Sequence, residues 1–215
     1  MTSSSETRHG NSDSIGSDET AIRILDMALE SFLEFGYRRT TIDTVAKRLG
    51  VSRVTLYRYH SDKASLFQAV ILREVQRSAQ EILAALSKLS VEQNPVVEGF
   101  VMTVNMSRKH PLFLRLMSTE PEWLVLHLTS QGEKLIKWAG FSAEAFMRQS
   151  KFMDWLKEDE LDVAAELLIR MLVSAVITPG GLLGDDGDGL RRAALYLLKP
   201  LLRSPVPDSV SSNPS

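Results

Sequence analysis

The sequence predicts an all-α fold, and three observations carry that expectation. Apolar residues recur at three- and four-residue spacing from about Thr20 to Leu202. Runs of alternating β-branched residues bounded by turn residues are lacking, so no sheet is expected. Gly36, Gly50, Pro95, Pro111 and Pro121 fall at the joints between periodic stretches, where helices stop and start. The 215 residues suffice for one large domain or two small ones. Hydrophobic residues make up 44% and charged residues 24%, the balance of a globular chain that can bury its own core.

The first helix is expected from about Thr20 to Phe35, with Ile22, Leu25, Leu29 and Phe32 on one face and Gly36 ending it. A second starts after Thr41, a suitable N-cap, and buries Ile42, Val45, Ala46 and Leu49 before Gly50 stops it. Ser52 caps a third, Arg53 to about His60. Ser61 or Asp62 caps a fourth, which carries Leu66, Phe67, Val70, Ile71 and Val75 towards Leu89. Further helices are expected from Asn94-Pro95 to Lys109, from Leu112 to Ser118 and from Glu120-Pro121 to a break at Gly140. Others follow from a Ser142 cap, from Leu161 to Ile177 and from Leu190 to about Leu202. Polar, Ser-rich residues 1–19 and Pro-bearing 204–215 read as disordered tails.

Composition removes several chemistries. There is no cysteine, so disulfides, thiol catalysis and thiolate zinc sites are out. His9, His60, His110 and His127 are scattered without zinc-ligand spacing. Asp185, Asp186 and Asp188 lie in a Gly-rich loop but do not complete a calcium-loop pattern. No Gly-rich phosphate loop, GxSxG elbow or HExxH occurs, so no enzyme and no cofactor is expected. No uncharged apolar run reaches the ~20 residues of a membrane helix. The N-terminus has no apolar core of a secretory signal, and a cytoplasmic setting fits.

Charge is unevenly placed. Residues 20–73 hold nine Lys/Arg against five acids, a local +4 in a chain of net −2. A basic segment on an acidic body is a footprint of a DNA-reading module, and equally that of a solvated charged face. The same segment contains two short helices joined by Gly50, Val51 and Ser52, with small Ala46 at their close approach. This is helix-turn-helix spacing, although a helical hairpin inside an ordinary all-α core has the same outline.

The residues themselves sharpen that choice. The stretch TIDTVAKRLGVSRVTLYRYHSDKASLFQAV, residues 41–70, closely resembles the N-terminal domain of TetR-family transcriptional regulators. The preceding AIRILDMALESFLEFGYRRTT, residues 21–41, resembles that family's first helix and its Gly-aromatic step into paired threonines. The resemblance covers roughly residues 20–70 and departs at two places. Val54 stands where a glycine or small residue is common, and His60 where phenylalanine is usual.

The resemblance implies an N-terminal three-helix helix-turn-helix DNA-binding domain, residues 20–66. It implies a C-terminal helical ligand-binding and dimerisation domain, residues 67–203. The expected function is a homodimeric, ligand-responsive repressor of transcription. A small hydrophobic inducer would release it from a palindromic double-stranded operator. The alternatives are an α-helical interaction protein without DNA binding, or an unrecognised small-molecule enzyme. Within the third helix, Arg53, Val54, Thr55 and Arg58 are candidates for base edges, and Ser52 is the cap. Arginine can bond both acceptors of a guanine, and valine can pack on a thymine methyl. Thr41, Tyr57, Tyr59 and Lys63 are expected to anchor phosphates, fixing register without reading sequence. Lys47 and Arg48 are expected on the outward face of the second helix, adding general attraction.

Two further sets belong to the remainder of the chain. Met102, Met106, Phe113, Met117, Trp123, His127, Phe146 and Phe152 suit an apolar ligand pocket, and equally an ordinary core. Asn105, Arg115 and Gln149 are polar candidates beside them. The last two helices are apolar on more than one face. Leu168, Met171, Leu172, Val176, Leu195, Leu198 and Leu202 are therefore expected to pair with their copies across a two-fold axis.

Overall fold

The computed structural model describes residues 10–90, 92–129, 133–149, 158–181 and 187–198. Among these, ten α-helices follow one another: α1 (Gly10–Arg39), α2 (Ile42–Leu49), α3 (Arg53–Tyr59), α4 (Lys63–Leu86) and α5 (Pro95–Lys109). Then come α6 (Pro111–Thr119), α7 (Pro121–Leu128), α8 (Glu133–Gln149), α9 (Glu158–Ile177) and α10 (Gly187–Leu198). No strand occurs among the described residues. The all-α expectation holds.

The helices form two compact units. The first takes in the described residues up to Ser78 together with His110–Leu124; the second takes in Ala79–Lys109 and the described residues from Val125. The first unit thus reaches past the expected boundary at residue 66 and recruits α6 from far along the chain. The cause is apolar surface on α6. Leu112 and Leu116 are buried, a side chain every turn, on the helix face that packs against α1.

In the first unit, Ile24, Ala28 and Phe32 of α1 meet Val45 and Ala46 of α2, Leu56 of α3 and Leu66, Phe67 and Val70 of α4 in one core. Four rings close it. Phe67 lies edge-on to Phe32 (4.7 Å between centroids) and to Trp123 (4.9 Å), and Tyr37 sits 4.8 Å from Phe67 and 5.0 Å from Trp123. Helix α1 begins at Gly10, ahead of the expected Thr20. Once a helix is nucleated each further residue adds at little cost, and Asp18 and Glu19 suit its N-terminal half. Its far end is as expected: Gly36 takes φ 80° and breaks the helix.

In the second unit, Phe100, Val101 and Val104 of α5 pack with Leu161, Ala164, Ala165 and Leu168 of α9 and Leu190 and Ala194 of α10. Two polar links cross that core. Arg191 Nε and Nη2 donate to the buried carboxylate of Glu98 at 2.8 and 3.0 Å. Arg108 donates to the Ala175 carbonyl near the end of α9, at 2.7 Å from Nη2. Asn94 caps α5, accepting from Val96 and Val97, with Pro95 at the first position.

One expected boundary is wrong. Gly140 does not break a helix, and Ser142 does not cap one; both lie inside α8. An interior glycine costs only about 1 kcal/mol, which packing along α9 offsets. Of the three aspartates of the Gly-rich loop one is described. Asp188 sits in the first turn of α10 and accepts from Arg191 at 3.2 Å. Asp185 and Asp186 lie outside the described residues.

Candidate nucleic-acid interface

Helix α2 is fixed at both ends by its own sequence. Thr41 Oγ1 accepts the Thr44 N–H at 3.1 Å. At the other end Gly50 takes φ 76°, its N–H reaches Lys47 O at 3.3 Å, and the Val51 N–H reaches Ala46 O at 3.0 Å. That pair of bonds is a Schellman motif, and its left-handed residue explains why glycine stands there. One residue later Ser52 Oγ accepts the Thr55 N–H at 3.0 Å and starts α3. The turn is therefore short, fully hydrogen-bonded and rigid.

The third helix has two faces. Leu56 is completely buried and plugs it into the core. Opposite, Val54 is 79% and Tyr57 50% exposed, and Arg53 and Arg58 are exposed beside them. Thr55 and Tyr59 are half-buried. The Arg58 guanidinium lies over the Tyr59 ring, 5.6 Å from its centroid, which holds a cation at the surface. A seven-residue rod with a buried pin and a cationic, partly apolar outer face fits the major groove, which accepts one helix.

Three cations stand differently from expectation. Arg53 is not a bare surface charge: its Nε and Nη2 both pair with the Asp43 carboxylate of α2. Lys63 opens α4, but its ammonium donates to Tyr37 O (3.0 Å) and Arg38 O (3.3 Å) and lies 4.4 Å from the Tyr37 ring centre. It thus satisfies carbonyls just past the Gly36 break; of three donors, one is left to reach outward. Arg48 is exposed, as expected of the outward face of α2, but it is not a bare charge. It bonds Glu34 (2.9 Å) and Ser31 Oγ (3.2 Å) on α1 and lies over Phe35. The spacing of α2 places Arg48 outside because Leu49 and Val45 fix the inner face, and its long side chain folds back along α1 to reach these partners.

His60 caps the C-terminal end of α3, its N–H donating to Leu56 O at 3.0 Å. It is half-buried, and burial pushes its imidazole below the ordinary histidine range. This agrees with a histidine occupying an aromatic packing slot. Asp62 rather than Ser61 caps α4, accepting the Ser65 N–H at 2.7 Å.

The structure does not bring the eight pocket candidates into one unit. Phe113, Met117 and Trp123 lie in the first unit, and Trp123 packs on Tyr37 and Phe67. Met102, Met106 and Phe146 lie in the second. The Phe146 ring is 3.9 Å from where a Cβ on Gly99 would be, so it lies against α5 one turn before Met102. The side chain of His127 and all of Phe152 are outside the described residues.

The interface residues also divide. Leu168 and Val176 are buried within the second unit, Met171 and Leu172 are half-buried, and Leu195 is exposed. The side chain of Leu198 and all of Leu202 are outside the described residues. Leu167, part of the two-faced apolar pattern of the last helices, is exposed on α9, and beside it stand two exposed apolar groups the periodicity did not single out, Val163 on α9 and Tyr196 on α10. No helix among the described residues is long and apolar enough to cross a membrane.

Comparison with known proteins agrees with this geometry. The family model of bacterial regulatory proteins of the tetR family matches residues 24–70, from α1 through the start of α4. An uncharacterised HTH-type transcriptional regulator of Mycobacterium tuberculosis is 25% identical over 163 residues, spanning 74% of this chain and 76% of that protein. The HTH-type transcriptional activator FasR of Mycolicibacterium smegmatis is 36% identical over 69 residues, 32% of either chain. Among solved structures, the TetR family repressor AlkX of a Dietzia strain, implicated in biodegradation of n-alkanes, superposes with a TM-score of 0.63. It is 26% identical, and the match covers 85% of this chain and 94% of AlkX.

Proposed function

We propose that the chain is a TetR-family transcriptional regulator, binding DNA through its helix-turn-helix, and that it works as a homodimeric repressor freed from a palindromic operator by a small apolar ligand; the family model over residues 24–70 and the likeness to AlkX support this reading. The observation that carries this reading is the two-faced α3, with Leu56 buried beneath and Arg53, Val54, Tyr57 and Arg58 outward. Arg53, Val54, Thr55 and Arg58 read base edges; Tyr57, Tyr59, Thr41, Lys47 and the outward donor of Lys63 hold phosphates. Ser52 sets the start of the rod. Two copies of α3 on a two-fold axis demand half-sites about one turn or more apart, roughly 34 Å for one turn.

The ligand is assigned to the second unit. Gly99, Met102 and Met106 follow one another along α5, and Phe146 lies against the first of them. A glycine, two flexible thioethers and a ring suit an alkyl chain better than a polar metabolite. The implication of AlkX in n-alkane biodegradation supports the same ligand class. Such a ligand acts only if it binds the DNA-incompetent arrangement more tightly than the competent one.

The test is selection of DNA sequences by purified protein at stated salt, followed by titration of alkanes, alkanols and fatty acids into the complex. An enriched inverted repeat whose complex is dissolved by one of these compounds is the expected result. Enrichment of no sequence at low salt would overturn the DNA assignment. A bound alkyl compound that leaves operator affinity unchanged would overturn the inducer assignment.

A further inference from the structure

We infer that Asp43 is a specificity-determining residue that holds the Arg53 guanidinium edge-on to a guanine of the operator, an inference that rests on the reading of α3 as the base-reading helix. The argument begins with which atoms are used. Arg53 pairs through Nε and Nη2, each to one oxygen of the Asp43 carboxylate. This is the side-on mode of a bidentate Arg–carboxylate pair. It consumes one N–H of Nε and one of Nη2. The opposite edge, made of Nη1 and the second N–H of Nη2, stays open, and that edge carries the two parallel donors that match O6 and N7 of guanine.

Position and exposure agree. Asp43 stands in the first turn of α2 and Arg53 at the first position of α3, so the pair ties together the two helices of the motif. The Arg53 side chain remains 67% exposed although paired. A pair formed to neutralise or bury the arginine would cover it; this one fixes its plane and leaves the working edge in solvent. An unsupported arginine of three flexible methylenes loses rotamer freedom when it docks on a base, and one already held loses less. The carboxylate also acts against wrong targets. It stands close to the DNA surface and repels phosphate, so a placement in which Arg53 bonds a phosphate instead of a guanine leaves Asp43 facing like charge.

The neighbour Val54 defines the rest of the local target. It is the most exposed large apolar side chain among the described residues of the first unit and stands directly after Arg53. A base step in which the guanine read by Arg53 is followed by a thymine, whose methyl meets Val54, satisfies both side chains.

The experiment uses the full chain and the operator selected by the wild-type protein. Competition binding is measured between that operator and variants changed at single base pairs, for wild type, Asp43→Asn, Arg53→Ala and the double variant. Arg53→Ala should abolish preference for guanine at one position per half-site. Asp43→Asn should lower preference at that same position by about tenfold, inside the range of roughly 5- to 150-fold for one bidentate base contact, and leave the other positions unchanged. In the Arg53→Ala background, Asp43→Asn should then have no further effect on base preference. A merely structural role for Asp43 would lower affinity at all positions together, with a lower melting temperature, and would overturn the inference. So would a rise in guanine preference for Asp43→Asn, which would mean that the carboxylate sequesters Arg53. If Arg53→Ala shifts preference and Asp43→Asn does not, the inference falls while α3 remains the reading helix. If no α3 substitution shifts any position, the reading of α3 falls with it.

Discussion

The Glu120 carboxylate accepts the Arg38 backbone N–H at 2.9 Å, joining residues 82 positions apart. The bond repairs a defect that the sequence itself introduces. Gly36 breaks α1 at φ 80°, and across that break the Arg38 N–H and the Glu34 C=O, partners in an unbroken helix, are separated. Glu120 takes the first of them and Arg115 Nη2 takes the second at 3.0 Å. The second Glu120 oxygen, Oε2, is buried with no hydrogen-bond partner among the described residues.

That arrangement separates three substitutions. In Gly36→Ala the new Cβ would stand 3.0 Å from Glu120 Oε1 on a backbone that alanine adopts only under strain, so a loss of about 1–3 kcal/mol is expected. Glu120→Ala removes the acceptor of the part-buried Arg38 N–H, again about 1–3 kcal/mol. Glu120→Gln keeps that acceptor and discharges an unpaired buried oxygen, so it should match or exceed wild-type stability. Urea midpoints of the three variants check the order; a Gln variant as weak as the Ala variant contradicts it.

Lys63 and Lys47 should respond differently to the same change. Lys47 is exposed, with no partner among the described residues, so Lys47→Ala should leave the melting temperature in place. It should flatten the slope of log K against log salt by about one unit, the share of one phosphate contact. Lys63→Ala strips the Tyr37 and Arg38 carbonyls of a donor as well, so it should lower both operator affinity and melting temperature. Tyr57→Phe should weaken binding on every sequence while stability stays unchanged, because that ring is half exposed. Salt titrations beside thermal melts check all three. Loss of affinity in Lys63→Ala with an unchanged slope would assign Lys63 to the fold alone.

His60 gives the stability a pH dependence of known sign. Burial lowers its folded pKa below the unfolded value, so the unfolded chain takes up the proton first. The contribution is fully present above the ordinary histidine range of about 6.5 and is lost as pH falls through the folded value. The α3–α4 junction should therefore weaken on acidification from pH 7.5 to 5.5, before the carboxylates titrate. His60→Phe, which supplies an aromatic ring without a proton site, should flatten that part of the profile. Melting curves across this window check it; equal slopes in both proteins would show that the imidazole is not the titrating group.

The ends of α2, the turn and the start of α3 were legible in the sequence because each depends on chemistry within a few residues: Thr41, Gly50 and Ser52 form their bonds locally. So was the inward face of α3, where Leu56 interrupts polar neighbours. What periodicity could not give was the destination of long side chains. Arg48, Arg53 and Lys63 all found partners on other helices, and nothing in their spacing says whether a flexible cation reaches out or folds back. The docking of α6 was equally invisible. Its buried leucines announce a packed face without naming the surface it packs on. Asp43 carried a faint signal, an acid ten residues before Arg53 on the preceding helix of a short-turn pair.

The dimer surface is the sharpest case of that limit, and it yields the last prediction. Periodicity marked α9 as apolar on two faces, yet the inward face contains Leu168 and Val176, which are buried within one chain and unavailable to a partner. The outward apolar residues are Val163 and Leu167, one turn apart on α9, with Leu195 and Tyr196 on α10; Leu167 is 49% and Tyr196 74% exposed. In the proposed dimer, these are the described apolar residues that α9 and α10 can offer to a partner copy. Leu167→Arg places a charge in that seam and should turn a dimer near 48 kDa, twice the 24.0 kDa chain, into a monomer at micromolar concentration with the fold intact. Leu168→Ala should instead cost about 2–5 kcal/mol of stability through a cavity in the protomer, and leave the remaining folded protein dimeric. Sedimentation velocity and urea unfolding on the same two variants decide the assignment. A dimeric Leu167→Arg, or a stable monomer from Leu168→Ala, would reverse the two faces.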